Sequence, residues 1–259
     1  MIRSLWVAVA SHTGLVREHN EDAVGINGFA LQGDKARTLY LTLPLDRPQA
    51  IAVCDGMGGH AGGERASVLA AQRCTTVDDA TALDRASAAA LLQQASDEIN
   101  TISETSAEYR GLGTTVVGAY IAPGGEVLIV NVGDARAYRM ESGFLAQLTI
   151  DHRSAQTGNL TQTLGGGQRC VLEPAAYDTV VDEAGILLCS DGIADYVDDA
   201  AVKAELTRTD SPRSVPDRLV ELALAGGGGD NATAVHLRLA PPRRTPQPPT
   251  GPLTEGFSR

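Results

Sequence analysis

Ile51-Ala52-Val53-Cys54-Asp55-Gly56 and Ile186-Leu187-Leu188-Cys189-Ser190-Asp191-Gly192 are built alike. Each is a short apolar run of strand length that stops at an aspartate and a glycine, residues that favour a turn. Val127–Val132 ends likewise, through Gly133, at Asp134. In the opposite sense, Asp230-Asn231 opens the run Ala232–Leu239, and Glu21-Asp22 opens Ala23–Ala30. In an antiparallel sheet the end of one strand lies beside the start of the next. Acids that follow some strands and precede others can therefore gather at one edge of a packed pair of sheets.

Any single Asp-Gly reads most simply as a hairpin turn. A set of acidic sites, each abutting an apolar strand, asks for more. Two carboxylates about 4 Å apart repel by roughly 4 kcal/mol at an effective dielectric of about 20, so converging acids need a counter-charge, and a divalent cation supplies it. Oxygen ligands suit Mg²⁺, Mn²⁺ or Ca²⁺. Zinc would ask for a His pair or a CxxC spacing, and neither is present. Paired ions sharing a carboxylate generate hydroxide at neutral pH and stabilise phosphoryl oxygens. Arg17, four residues before Glu21, is placed to grip a phosphate with its planar fork.

Around these sites, Trp6–Ala10, Ala50–Cys54, Thr114–Ile121, Glu126–Val132, Arg136–Met140, Gly185–Cys189 and Ala232–Leu239 read as strands. Gly63–Thr76, the Ala-rich Leu83–Glu104, Ala200–Leu206 and Ser214–Ala225 read as helices. Helices fall in blocks between runs of strands, which predicts an α+β fold with antiparallel sheets. Composition shifts after Ala240, where Pro241-Pro242-Arg243-Arg244-Thr245-Pro246-Gln247-Pro248-Pro249 cannot bury a core. Residues 1–240 are therefore expected to be the folded domain, and 241–259 a Pro-rich disordered tail or linker.

The chain has 259 residues, 43% of them hydrophobic, and a net charge of −11. Such acidity argues against non-specific nucleic-acid binding. No apolar run approaches the roughly 18 residues that span a bilayer. The start, Met1–Ala10, superficially resembles a signal peptide, but its apolar stretch is too short for a secretory h-region and reads as a strand. Four cysteines form no CxxC pair, and Cys54 and Cys189 lie inside apolar runs. They read as reduced structural thiols, which predicts a cytoplasmic protein.

Six segments, in order, resemble the metal-dependent Ser/Thr protein phosphatases (PPM, the type 2C phosphatases), especially bacterial members. They are 13–22 (TGLVREHNED), 53–64 (VCDGMGGHAGGE), 113–115 (GTT), 132–138 (VGDARAY), 188–195 (LCSDGIAD) and 229–233 (GDNAT). The resemblance implies a four-layer α-β-β-α sandwich, two antiparallel sheets flanked by helices, with Mn²⁺ or Mg²⁺ at one end. It implies that Asp55 bridges two core ions, that the Gly56 carbonyl binds one, and that Asp191 and Asp230 complete the other. Glu21 and Asp22 would hold ion-bound waters, with Asp195 further out, and Arg17 would bind substrate phosphate. Asp134, with Asp191, matches a third metal site. His60 is the candidate general acid for the leaving alkoxide. His19 and His152 are not assigned catalytic roles, and His12 and His236 read as surface or strand residues.

The function so implied is hydrolysis of phosphoserine and phosphothreonine in proteins by a metal-activated water, the partners being a Ser/Thr kinase or its targets. No Cys-x5-Arg nucleophile motif is present, which fits a reaction without a covalent phosphoenzyme. Two other classes compete. A dead binding module on this scaffold should have lost Asp55, Asp191 or Asp230, and a Ca²⁺ structural domain should show EF-hand spacing and no phosphate-binding Arg. One departure stands out. Only residues 153–159 separate Asp151-His152 from Leu160-Thr161-Gln162-Thr163-Leu164-Gly165, so the family's flap is reduced to a short turn.

Overall fold

The computed structural model describes residues 3–33, 37–58, 61–77, 84–105, 107–167, 169–208 and 214–241. The expected Pro-rich tail, from residue 242 onward, and His60 lie outside them.

The apolar runs become strands because they are buried on both faces, as happens when a sheet is covered by a second sheet on one side and by helices on the other. In β5 (Gln49–Met57) the larger Ile51 and Val53 enter the core between the sheets, while Ala50, Ala52 and Cys54 face helices. β7 (Val116–Ile121) repeats this division with Val117, Ala119 and Ile121 against Val116 and Tyr120. In the other sheet, Ile186 and Leu188 of β13 (Ile186–Cys189) face the shared core, and Leu187 and Cys189 face helices. Truncating a wholly buried residue such as Ile51 to Ala would cost roughly 2–5 kcal/mol.

One sheet runs β10 (Phe144–Gln147), β9 (Arg136–Glu141), β13, β14 (Ala232–Leu239), β1 (Ser4–His12), β4 (Arg37–Pro44). The other runs β11 (Leu164–Gly165), β6 (Gly113–Thr114), β5, β7, β8 (Glu126–Val132), β12 (Ala175–Val180), with β2 (Asp22–Ile26) also on β5 and β3 (Phe29–Leu31) on β2. Every pairing is antiparallel. Helices α1 (Ala61–Thr75) and α2 (Arg85–Ser103) cover the second sheet. The one-turn α3 (Asp191–Ala194), α4 (Asp199–Thr207) and α5 (Val215–Ala225) cover the first. This is the expected α-β-β-α sandwich.

Two expected runs are divided. Residues 23–30 form the hairpin β2–β3, because Asn27 and Gly28 both take positive φ (48° and 83°), the geometry of a tight hairpin turn. The run 114–121 breaks at Thr115 into β6 and β7. β4 was not anticipated, although Leu39, Leu41 and Leu43 alternate onto the core. β10 and β12 were also missed, being short and exposed at sheet edges. In α2, Asp84 caps the N-terminus by accepting from Ser87 N at 2.7 Å.

Candidate metal centre

β5, β8 and β13 all end, and β2 and β14 begin, at the same edge of the sandwich. That edge opens as a cleft of about 480 Å³ lined by Arg17, Glu21, Asp55, Gly56, Asp134, Asp191 and Asp230, with Thr115, Leu160 and Asn231 among the remaining walls.

Asp55 sits near the end of β5, held by its backbone. Thr115 N and Thr114 Oγ1 donate to Asp55 O at 2.9 and 2.8 Å, and Asp55 N donates to Thr115 Oγ1 at 3.2 Å. At Gly56 no other residue fits, since a Cβ would stand 2.3 Å from Gly63 O and 2.7 Å from Glu21 O. Gly133 takes φ +100°, turning the chain out of β8 so that Asp134 faces the cleft. The turn is clamped by His152, whose N donates to Gly133 O and whose Nδ1 accepts from Gly133 N.

The acids crowd one another in a half-dry space. Asp22 is 1% exposed and lies opposite Asp55 in the β2–β5 register. Burial pushes its carboxyl up to about 7, although the Thr233 and Ser190 hydroxyls favour the charged form. Burial raises Asp191 to about 6. It raises Asp55 well above the carboxylate range, helped by the charges of Asp22 and Asp191. Glu21 and Asp134 are also raised, chiefly by burial. Asp22 Oδ1 and Asp191 Oδ1 are buried without a hydrogen-bond partner. Buried carboxylate oxygens without donors fit a cation, and the donor set is all oxygen. Among the described residues, no group of three or more acids already stands as a ready ligand cage.

Two arginines supply positive charge. Arg17 Nη2 donates to Asp230 Oδ2 at 2.7 Å, with the Arg17 side chain 55% exposed. Arg17 is thus in the cleft, with its guanidinium on an expected metal ligand. Arg153 points one guanidinium at three carboxylates: Nε at Asp134 Oδ2, Nη2 at Asp191 Oδ2 (3.0 Å) and at Asp195 Oδ2 (3.2 Å). Asp195 meets the site through Arg153 and is absent from the cleft lining. Asp22 lies beneath the cleft and is also absent from its lining.

Sequence reasoning overlooked Arg153, Asn231 and Ser190. Asn231 is 6% exposed and stitches the Arg17 loop in place, donating from Nδ2 to Thr13 O and His19 O and accepting at Oδ1 from Glu21 N, each at 2.8 Å. Ser190 donates to Asp22 Oδ2 at 2.8 Å and accepts from Thr233 N. The available signals were adjacency, Asn231 following Asp230, Ser190 preceding Asp191, and Arg153 following Asp151-His152.

The profile of the protein phosphatase 2C family matches residues 42–222, and the chain belongs to that family. PstP of Mycobacterium tuberculosis, a serine/threonine protein phosphatase, is 32% identical over 248 residues, covering 88% of this chain and 44% of PstP. The chain thus spans less than half the length of that relative. The serine/threonine phosphatase stp of Listeria innocua is 29% identical over 86% of this chain and 91% of its own. Among solved structures, mycobacterial PstP superimposes with a TM-score of 0.71 at 30% identity, covering 91% of this chain and 98% of that one. Stp1 of Staphylococcus aureus gives 0.73 at 28%, covering 91% and 95%.

Proposed function

We propose that the chain hydrolyses phosphoserine and phosphothreonine in proteins, as a phosphoric monoester hydrolase dependent on Mn²⁺ or Mg²⁺. The supporting observation is the meeting of Asp55, Asp191 and Asp230 in one cleft with Arg17 beside them. A dead module would not keep that set together.

Asp55 and the Gly56 carbonyl, with Asp191 and Asp230, would hold two core ions. Those ions supply Lewis-acid charge for the phosphoryl oxygens and make hydroxide available at neutral pH. Glu21, and Asp22 below the floor, would orient water around them and balance charge. Arg17 holds substrate phosphate. It does so once Asp230 is engaged elsewhere, since its guanidinium is exposed and, among the described residues, its ion pair is with Asp230. His60 is retained as general acid for the leaving seryl or threonyl oxygen.

Residues 1–240 would form the catalytic unit, with a Pro-rich linker beyond. No helix among the described residues is long and apolar enough to cross a membrane. Cys54, Cys74 and Cys189 are free and buried, as expected in a reducing cytoplasm, where a Ser/Thr kinase and its targets would be the partners.

The test is phosphate release from a phosphothreonine peptide. Mn²⁺ or Mg²⁺ should support it, EDTA should abolish it, and Asp55→Asn and Asp191→Asn should each lower kcat by orders of magnitude. Full activity in EDTA would overturn the assignment.

A further inference from the structure

The place where the family resemblance puts a third ion is occupied in this chain by a side chain. Asp134 is 4% exposed and, with Asp191, would have to supply that ion. Both aspartates, and Asp195 with them, are already engaged by the single guanidinium of Arg153. A guanidinium is permanently charged and offers several donors in a rigid fork, so it can serve neighbouring carboxylates at once. A divalent ion and this guanidinium cannot share the space, because like charges at contact repel and the same oxygens would be needed twice.

Arg153, its side chain 33% exposed against 55% for Arg17, is the more buried of the two arginines. It begins the short turn that replaces the flap. It forms a bridge with Leu160, Ser154 N donates to Asn159 O, and Gly158 N donates to Ser154 O, both at 2.8 Å. Just before it, His152 is bonded to Gly133, and Thr161 N donates to His152 O at 2.7 Å. The turn is therefore tied at its base to the loop that carries Asp134. Asp191 is shared: its Oδ2 faces Arg153, while its Oδ1, which has no hydrogen-bond partner, remains available to a core ion.

We infer that Arg153 is a built-in cation that stands in for the third metal, so that this chain works with core ions only, and that the shortened flap is the element that delivers it. This deepens the reading above and rests on it, since it takes the acids around Asp55 as a divalent-cation site.

The experiment counts Mn²⁺ bound per chain at saturation, by equilibrium dialysis and by electron paramagnetic resonance titration of free Mn²⁺. It compares the wild-type chain, Asp134→Asn, Arg153→Met and the Arg153→Met/Asp134→Asn double variant, with cooperative melting as the check on folding. Asp134→Asn should leave the wild-type count unchanged. Arg153→Met should gain one weaker ion, and the double variant should lose that gain. An ion lost from the wild-type background on Asp134→Asn would overturn the inference, as would an unchanged count in a folded Arg153→Met. The Asp134→Asn comparison decides even if Arg153→Met does not fold. No Mn²⁺ bound by the wild type would overturn the metal-centre reading itself, and this inference with it.

Discussion

Asp22 and Asp55 stand directly opposite each other across the β2–β5 pairing, one wholly buried and one at the floor of the cleft. Cross-strand neighbours are close enough to interact strongly, and two acids in that relation destabilise the sheet unless a proton or a cation lies between them. Serine and threonine hydroxyls offset part of that cost at Asp22 and leave one of its oxygens without a donor.

A pH dependence follows for the metal-free protein. The folded-state values of Asp22 (about 7) and Asp191 (about 6) lie above the ordinary carboxylate value near 3.9. The folded state therefore binds more protons than the unfolded state between those limits. The contribution of these two groups is fully present below about pH 4 and is lost as pH rises through 6 to 7. In EDTA the melting temperature should be higher at pH 5.5 than at pH 8. Saturating Mn²⁺ should raise Tm most at pH 8, because it binds the ionised carboxylates of the native state. A Tm in EDTA that climbs from pH 5.5 to 8 would contradict this.

Arg17→Ala should act on substrate far more than on the fold. An exposed ion pair such as Arg17–Asp230 is worth only about 0–1 kcal/mol, so Tm in EDTA should barely move. Loss of a charged hydrogen bond to phosphate, roughly 1.5–3 kcal/mol, should raise KM for p-nitrophenyl phosphate by about tenfold or more. Lysine should rescue only part, having no planar fork. Unchanged kinetics in the Ala variant would remove Arg17 from the site.

Asn231→Ala should damage both stability and catalysis. It removes the hydrogen bonds that the amide makes to Thr13 O and His19 O and the acceptor it offers to Glu21 N. A buried polar group left without a partner costs roughly 1–3 kcal/mol. Tm should fall by several degrees, and kcat/KM should fall as well, because the loop carrying Arg17 and Glu21 loses the three hydrogen bonds that anchor it beside Asp230. Calorimetry beside steady-state kinetics reads both. Wild-type kcat/KM in a folded Ala variant would show that the loop is positioned by other contacts.

The short turn at residues 153–159 should leave the cleft open on that side, so flap contacts remote from phosphorus contribute little to peptide choice. Across phosphothreonine peptides with varied flanks, kcat/KM should spread by less than about tenfold, roughly 1.4 kcal/mol of differential transition-state binding. A thousandfold spread that survives replacing 154–159 with a Gly/Ser linker, Arg153 being kept, would place selectivity on other surfaces.

The strands around the site, the α+β class and the acids at strand ends were legible in the order of residues alone. Each of these is written locally: β-branched and apolar runs extend the chain, and Asp-Gly or Asp-Asn halts it. The Asn27-Gly28 turn and the alternation of Leu39, Leu41 and Leu43 were equally local and could have been read. Which charge meets which is set by the packing of the folded chain. Arg17 finds Asp230 from the other end of the chain, and Arg153 finds Asp134, Asp191 and Asp195 because two sheets and one clamped turn bring them to the same edge. No periodicity encodes such pairings. They follow from sheet order and register, which minimise the exposed apolar surface of the whole chain, and the polar groups at the edge must then be satisfied by whatever that packing places beside them.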